Sequence, residues 1–182
     1  DNSSGNNPTI TLVVGSTNRT ATYASGDNST QLVLQYTIQA GETDSDGISI
    51  GANALALNSS TIRDAAGNNA TLTHSAESAN TSYKVDTTAP TVSSIYPTDN
   101  QSGVSVTDNV SVTFSEVMDN TTVTTNTDNT TCSGSFRLSS DNFTTCIRMS
   151  AAPSASNSYK TFSVTPDDNL SGGNTYKLQI TT

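Results

Sequence analysis

Gln31-Leu32-Val33-Leu34-Gln35-Tyr36-Thr37-Ile38 sets Leu32, Leu34, Tyr36 and Ile38 on one side of an extended chain and Gln31, Val33, Gln35 and Thr37 on the other. Period-two alternation with β-branched and aromatic residues is what a half-buried strand requires. Val110, Val112 and Phe114 repeat it, as do Phe162 with Val164, and Tyr176 with Leu178 and Ile180. Thr, with 32 copies, suits the solvent-facing positions of such strands. Turn clusters separate the runs: Ser25-Gly26-Asp27-Asn28, Asp44-Ser45-Asp46-Gly47, Ala66-Gly67-Asn68-Asn69 and Ser171-Gly172-Gly173-Asn174. Asn, Asp and Gly tolerate the positive φ that tight hairpins need. Ala52-Asn53-Ala54-Leu55-Ala56-Leu57 is helix-like but too short to count, so the chain reads as all-β.

Hydrophobic residues make up 32% of the 182, and Trp is absent. That is low for a large core, yet the apolar residues are patterned, which argues against disorder. The net charge of −9 divides into −5 for residues 1–88 and −4 for residues 89–182. An even negative field without a Lys/Arg cluster excludes nucleic acid as a partner. No run of about 18 apolar residues occurs, so no membrane span is expected. The sequence starts at Asp1 with no signal peptide and reads as a mature or excised piece of something longer.

Twelve Asn-x-Ser/Thr acceptors for N-glycosylation occur: Asn2, Asn18, Asn28, Asn58, Asn69, Asn80, Asn100, Asn109, Asn120, Asn129, Asn142 and Asn169. Nineteen Asn and sixty Ser or Thr would give about six by chance under the acceptor rule. Eight of the twelve carry Asp just before the Asn, a pair that favours exposed turns, where a bulky glycan must hang. A surface coated in covalent glycans leaves little bare protein for a catalytic cleft. The two cysteines, Cys132 and Cys146, flank a Ser-Ser-Asp-Asn turn. Two short strands around that turn would make them cross-strand neighbours, and an extracellular setting favours their disulfide.

Tyr83-Lys84-Val85-Asp86-Thr87-Thr88-Ala89-Pro90-Thr91-Val92 breaks the pattern in the middle. Pro90 cannot donate to a ladder and restrains Ala89, so one strand should end near Val85 and another begin near Val92. Two modules, 1–88 and 89–182, joined by a short stiff linker, are expected. Val85-Asp86-Thr87-Thr88-Ala89-Pro90-Thr91-Val92 resembles the joint between tandem bacterial immunoglobulin-like repeats of very long surface proteins. Gly41–Ser75, with Asp44-Ser45-Asp46-Gly47-Ile48 and Thr61-Ile62-Arg63-Asp64-Ala65-Ala66-Gly67-Asn68, resembles one repeat type. Tyr96-Pro97-Thr98-Asp99-Asn100, Val112-Thr113-Phe114-Ser115-Glu116-Val117-Met118-Asp119, and Val164-Thr165-Pro166 through Tyr176-Lys177-Leu178 resemble a second bacterial Ig-like family. The resemblance implies two tandem Ig-like β-sandwich domains.

Repeats of the first type usually open with a Thr-Phe-Ser-Glu-like strand, and none precedes Ile10. Those of the second usually continue past the Tyr176 strand into an Asp-x-x-Gly-Asn hairpin and a final strand. Each module is therefore expected to lack an edge strand, the first N-terminally and the second C-terminally. Either the chain is an excerpt of a longer array, or copies complete each other by exchanging strands.

Catalytic groupings are scarce. The single histidine, His74, has no G-x-S-x-G partner, and Thr73-His74-Ser75 reads as a strand end at the surface. Glu116 and Asp119 have the residue type of paired glycosidase carboxylates, but neither is in an obviously apolar pocket that would raise its pKa. No catalytic residue is assigned. Calcium is the more serious expectation, because hard cations want several oxygen ligands. Asp44 and Asp46 flank one turn and Asp64 lies in another, while the resemblance suggests Asp86 as a ligand that stiffens the joint. The opposing expectation is that these acids shape turns through their own backbone. The expected function is structural: a glycosylated module of an extracellular filament or surface array, whose partners are neighbouring copies or adjacent Ig-like modules. A stalk carrying an adhesive tip elsewhere is the alternative.

Overall fold

The structure, a computed structural model, describes residues 6–181. Chain contacts divide it into two compact units, Asp1–Ala89 and Pro90–Thr182. Strands and turns make up nearly all of it; a single 3-10 turn, Thr81–Tyr83, is the helical element among the described residues.

In the first unit, β1 (Thr9–Val14) and β2 (Thr17–Ser25) form an antiparallel hairpin. Gly15 and Ser16 close it, and Gly15 takes φ +58 at the first loop position, as a II′ turn demands. β3 (Val33–Gln35) pairs with β2, and β5 (Ser49–Ala56) with β1, giving the order β3-β2-β1-β5. β4 (Thr43–Asp44) and β6 (Val85–Asp86) make a separate two-stranded ladder.

One expectation changes here. The alternating Gln31–Ile38 stretch yields a strand of three residues, with Leu32, Val33 and Ile38 exposed. Alternation gives a strand one apolar side, but burial also needs a second layer facing it. Among the described residues of the first unit, the buried side chains are few: Pro8, Val14 and Ala21, beside the polar Glu42, Asp44 and Ser60. The helix-like Ala52–Leu57 lies largely in β5, held by β1 on one side and by the Ile50–Glu77 bridge on the other.

The second unit is a sandwich. β7 (Val92–Tyr96), β8 (Val110–Phe114), β10 (Ser154–Ser156) and β11 (Thr161–Val164) form one antiparallel sheet in the order β10-β11-β8-β7. β9 (Phe136–Ser139) and β12 (Lys177–Ile180) form the facing pair. Alternate residues of each layer meet between them: Val110, Val112 and Phe114 from β8, Phe162 and Val164 from β11, Phe136 and Leu138 from β9, with Val123 and Met149 from loops. The Phe114 and Phe162 rings sit edge to face, 6.1 Å apart at 74°. Full burial of such side chains contributes about 1.5–3 kcal/mol each. Between the units' strands, β6 ends at Asp86 and β7 starts at Val92, on either side of Pro90.

Candidate functional site

The acceptor asparagines are the most numerous candidates. Asn2 lies outside the described residues. The other eleven are all exposed. Asn28, Asn58, Asn100 and Asn142 hold positive φ, between 52 and 61, as turn asparagines do. Several use the side-chain oxygen internally: Asn129 Oδ1 accepts from Thr131 N at 2.7 Å, and Asn80 Oδ1 from Ser82 N at 3.0 Å. Asn109 Oδ1 accepts from Thr165 Oγ1 and Asn142 Oδ1 from Lys177 Nζ, both at 2.9 Å. Each such bond orients the amide while leaving Nδ2, the atom that takes the sugar, outside it.

Asn58 is the reverse. Its Nδ2 donates to Asn7 O and Thr9 Oγ1, both at 3.0 Å, tying the loop after β5 to the start of β1. Its acceptor hydroxyl, Ser60 Oγ, is buried and bonded to Leu57 O. A sugar on Nδ2 would remove one of its two protons and one of those bonds. Asn58 is therefore expected to be the least occupied of the described acceptors. Glycopeptide mass spectrometry checks this; full occupancy at Asn58 with the others partly bare would contradict it.

Cys132 and Cys146 are joined, with sulfurs 2.04 Å apart and Cα atoms 4.9 Å apart. They are not cross-strand neighbours of a hairpin, as the sequence suggested. The strand between them, β9, pairs outward to β12, while Cys146 N donates to Thr130 O and Ile147 N to Leu138 O. The turn after β9 is built on Asp141, whose carboxylate accepts from Thr145 N and Thr145 Oγ1 and from Ser139 Oγ. Those donors, Thr145 foremost, hold the Asp141 carboxyl below its ordinary range.

The four acids considered for calcium are not gathered. Thr43 faces Asp86 and Asp44 faces Val85 in the β4–β6 ladder, so the side chains of Asp44 and Asp86 leave on opposite faces. Asp44 is buried, with Oδ2 accepting from Gly15 N and Oδ1 from Gly47 N, both at 2.7 Å. These N–H groups, Gly15 first, keep its carboxyl low. Gly47 is required there: at φ +101, an added Cβ would lie 1.8 Å from Asn80 O. Asp64 closes its own turn, accepting from Ala66 N, Asn68 N and Asn68 Nδ2. Asp86 Oδ1 accepts from Thr88 N. Asp46 remains in the turn beside Asp44. Among the described residues no group of three or more His, Cys, Asp or Glu is placed to hold a metal. Asp44, Asp64 and Asp86 are each engaged by backbone N–H groups instead.

A buried polar knot, absent from the sequence reading, occupies the first unit. Glu42 is 6% exposed. Its Oε1 accepts from Tyr36 Oη at 2.5 Å and pairs with Arg19 Nε, and its Oε2 accepts from Gln39 N at 2.7 Å. The phenol of Tyr36, then the Gln39 amide and Arg19, hold the Glu42 carboxyl below its ordinary value. A carboxyl depressed in the folded state stabilises above its unfolded pKa, and that contribution is lost as pH falls through the folded value. The first unit is thus expected to lose stability below about pH 4, the ordinary Glu range. Glu42→Gln should flatten the pH dependence while lowering neutral stability; an unchanged acid limb in urea titrations would refute it.

His74 Nε2 accepts from Ala54 N at 2.9 Å and Nδ1 lies 2.7 Å from Ser75 O, so the ring braces backbone beside β5 rather than ending a strand. Asp119 is held low by the hydroxyl and N–H of Thr121, the opposite of what a general acid needs. Among the described residues, no helix is long and apolar enough to cross a membrane.

No curated protein and no solved structure matches the chain. The family model described as the bacterial Ig-like domain matches residues 86–182. Domains of that family are structural and non-catalytic, in keeping with a β-sandwich whose acids shape turns. Through a match over residues 86–182, the chain belongs to the bacterial Ig-like domain family.

Proposed function

We propose that this chain is a structural, glycosylated module of an extracellular filament or long surface array, in which copies exchange strands. The observation that carries this is the open side of the second unit. β12 has one ladder partner among the described residues, β9. Thr181 N donates to Ser135 O, so in an antiparallel ladder Lys177 and Gln179 also bond toward β9. The backbone N–H and C=O of Leu178 and Ile180 therefore face the open edge. Their side chains pack on the core but are only partly buried. An edge with unspent backbone bonds above half-covered core residues accepts a further strand, and in this reading a neighbouring copy supplies it. Head-to-tail addition of that kind does not close and propagates a fibre. The exposed acceptor asparagines and the disulfide suit an extracellular setting.

The test is electron microscopy of native material containing the chain, followed by reconstruction. Regular fibres with a neighbouring copy's strand along β12 are the expected result. Solitary flexible strings would overturn strand exchange and make the chain a stalk module for a tip elsewhere.

A further inference from the structure

The second unit carries a cleft of about 350 Å³ whose wall includes two acceptor asparagines, Asn129 and Asn169. These residues are far apart in sequence and are brought together by the fold. Leu170 and Tyr176 supply apolar surface there, and Asp128 and Asp168 supply carboxylates. Tyr176 is fixed: its Oη accepts from Ser171 N at 2.9 Å, which pins the ring against the loop that bears Asn169. The volume is at the low end of the roughly 300–1,000 Å³ usual for small-ligand sites, which combine apolar walls with a few placed polar groups. An aromatic face beside carboxylates matches a sugar ring, which offers C–H groups on one face and hydroxyl donors at its rim.

We infer that this cleft is the seat of N-linked sugar: glycans on Asn129 and Asn169 converge on it, and a linkage-proximal sugar packs over Tyr176 and Leu170. The inference rests on the glycosylated reading above and specifies what two of the glycans do. The linkage forms when Nδ2 attacks C1 of a phosphate-activated sugar; the C1–O bond breaks with its electron pair leaving on the phosphate, and Nδ2 loses one proton. Oδ1 of Asn129 is already committed to Thr131 N, which orients that amide before the sugar arrives. Once seated, the sugars shield the Tyr176–Ser171 bond from water. These glycans act as part of the packing, whereas sugars on Asn100 or Asn120 project from exposed turns.

Glycopeptide mapping of the native protein comes first, then hydrogen exchange of the Ser171 amide in the intact chain. The comparison includes Asn129→Gln, Asn169→Gln, the double variant, and Asn100→Gln with Asn120→Gln as controls. Both sites are expected to carry sugar, and nuclear Overhauser contacts should join sugar protons to the Tyr176 ring. The double variant should exchange Ser171 about tenfold faster, with the controls unchanged. Occupied sites with no contact to Tyr176 and unaltered exchange would overturn the seat. Bare Asn129 and Asn169 beside sugar-bearing acceptors elsewhere would also overturn it while leaving the glycosylated-array reading standing. A wholly sugar-free native chain would remove both.

Discussion

Phe162→Ala is expected to cost the Pro90–Thr182 unit about 3–5 kcal/mol, the usual loss for a buried Phe truncated to Ala. Phe162 is 1% exposed and comes from β11, next to β8 at the middle of the larger sheet. Its ring meets Phe114 edge to face, so truncation removes transfer free energy, opens a cavity and deletes an aromatic pair at once. Domains of this size are stable by only about 5–15 kcal/mol, so the variant should sit near its unfolding midpoint in mild denaturant. Urea titration followed by far-ultraviolet circular dichroism would read the shift. Leu32→Ala in the first unit serves as the control: Leu32 is 37% exposed, and its loss should stay within about 0.5 kcal/mol. Equal losses for the two substitutions would refute the placement of the core.

The second large effect concerns the disulfide. Cys132 and Cys146 are separated by 14 residues, and closing a loop of that length removes about 3 kcal/mol of chain entropy from the unfolded state. The covalent link also ties down a turn with little apolar support: β9 supplies Phe136 and Leu138 to the core, but the turn from Ser139 to Thr145 is held chiefly by polar bonds involving Asp141. Cys132→Ser with Cys146→Ala should lower stability by that amount. Cys146 is chosen for Ala because it is buried and an unpaired hydroxyl there would add its own cost. Reduction of the wild-type chain should reproduce the loss. Oxidised and reduced forms unfolding within about 0.5 kcal/mol of each other would contradict it.

Much of the second unit was legible from residues alone. Val110, Val112 and Phe114, Phe162 and Val164, and Tyr176, Leu178 and Ile180 all face the core as their alternation implied. Pattern works there because each stripe finds an opposing stripe. Gln31–Ile38 has an equally regular pattern, yet Leu32, Val33 and Ile38 stay exposed, because burial depends on the rest of the chain rather than on the stretch itself. Phe136 and Leu138 alternate with Ser135, Arg137 and Ser139, a signal too short to stand out between the two cysteines. Register disperses the acids considered for calcium: Asp44 and Asp86 are neighbours in the ladder, but a one-residue offset sends them to opposite faces. The Glu42 knot could not be read beforehand, since Arg19, Tyr36 and Glu42 share no spacing rule.

The sparse aliphatic interior of the first unit has a thermal consequence. The heat-capacity increment of unfolding, and the steepness of a denaturant transition, scale with the apolar and total surface exposed. With Pro8, Val14 and Ala21 as its buried apolar side chains among the described residues, that unit contributes less to either than its neighbour. Calorimetry of the intact chain should therefore resolve a low, broad endotherm from the Asp1–Ala89 unit beneath a sharper one from its neighbour. Any strand that covers the exposed β3 side would reveal itself as a gain in heat capacity of unfolding, visible before any fibre is large enough to image.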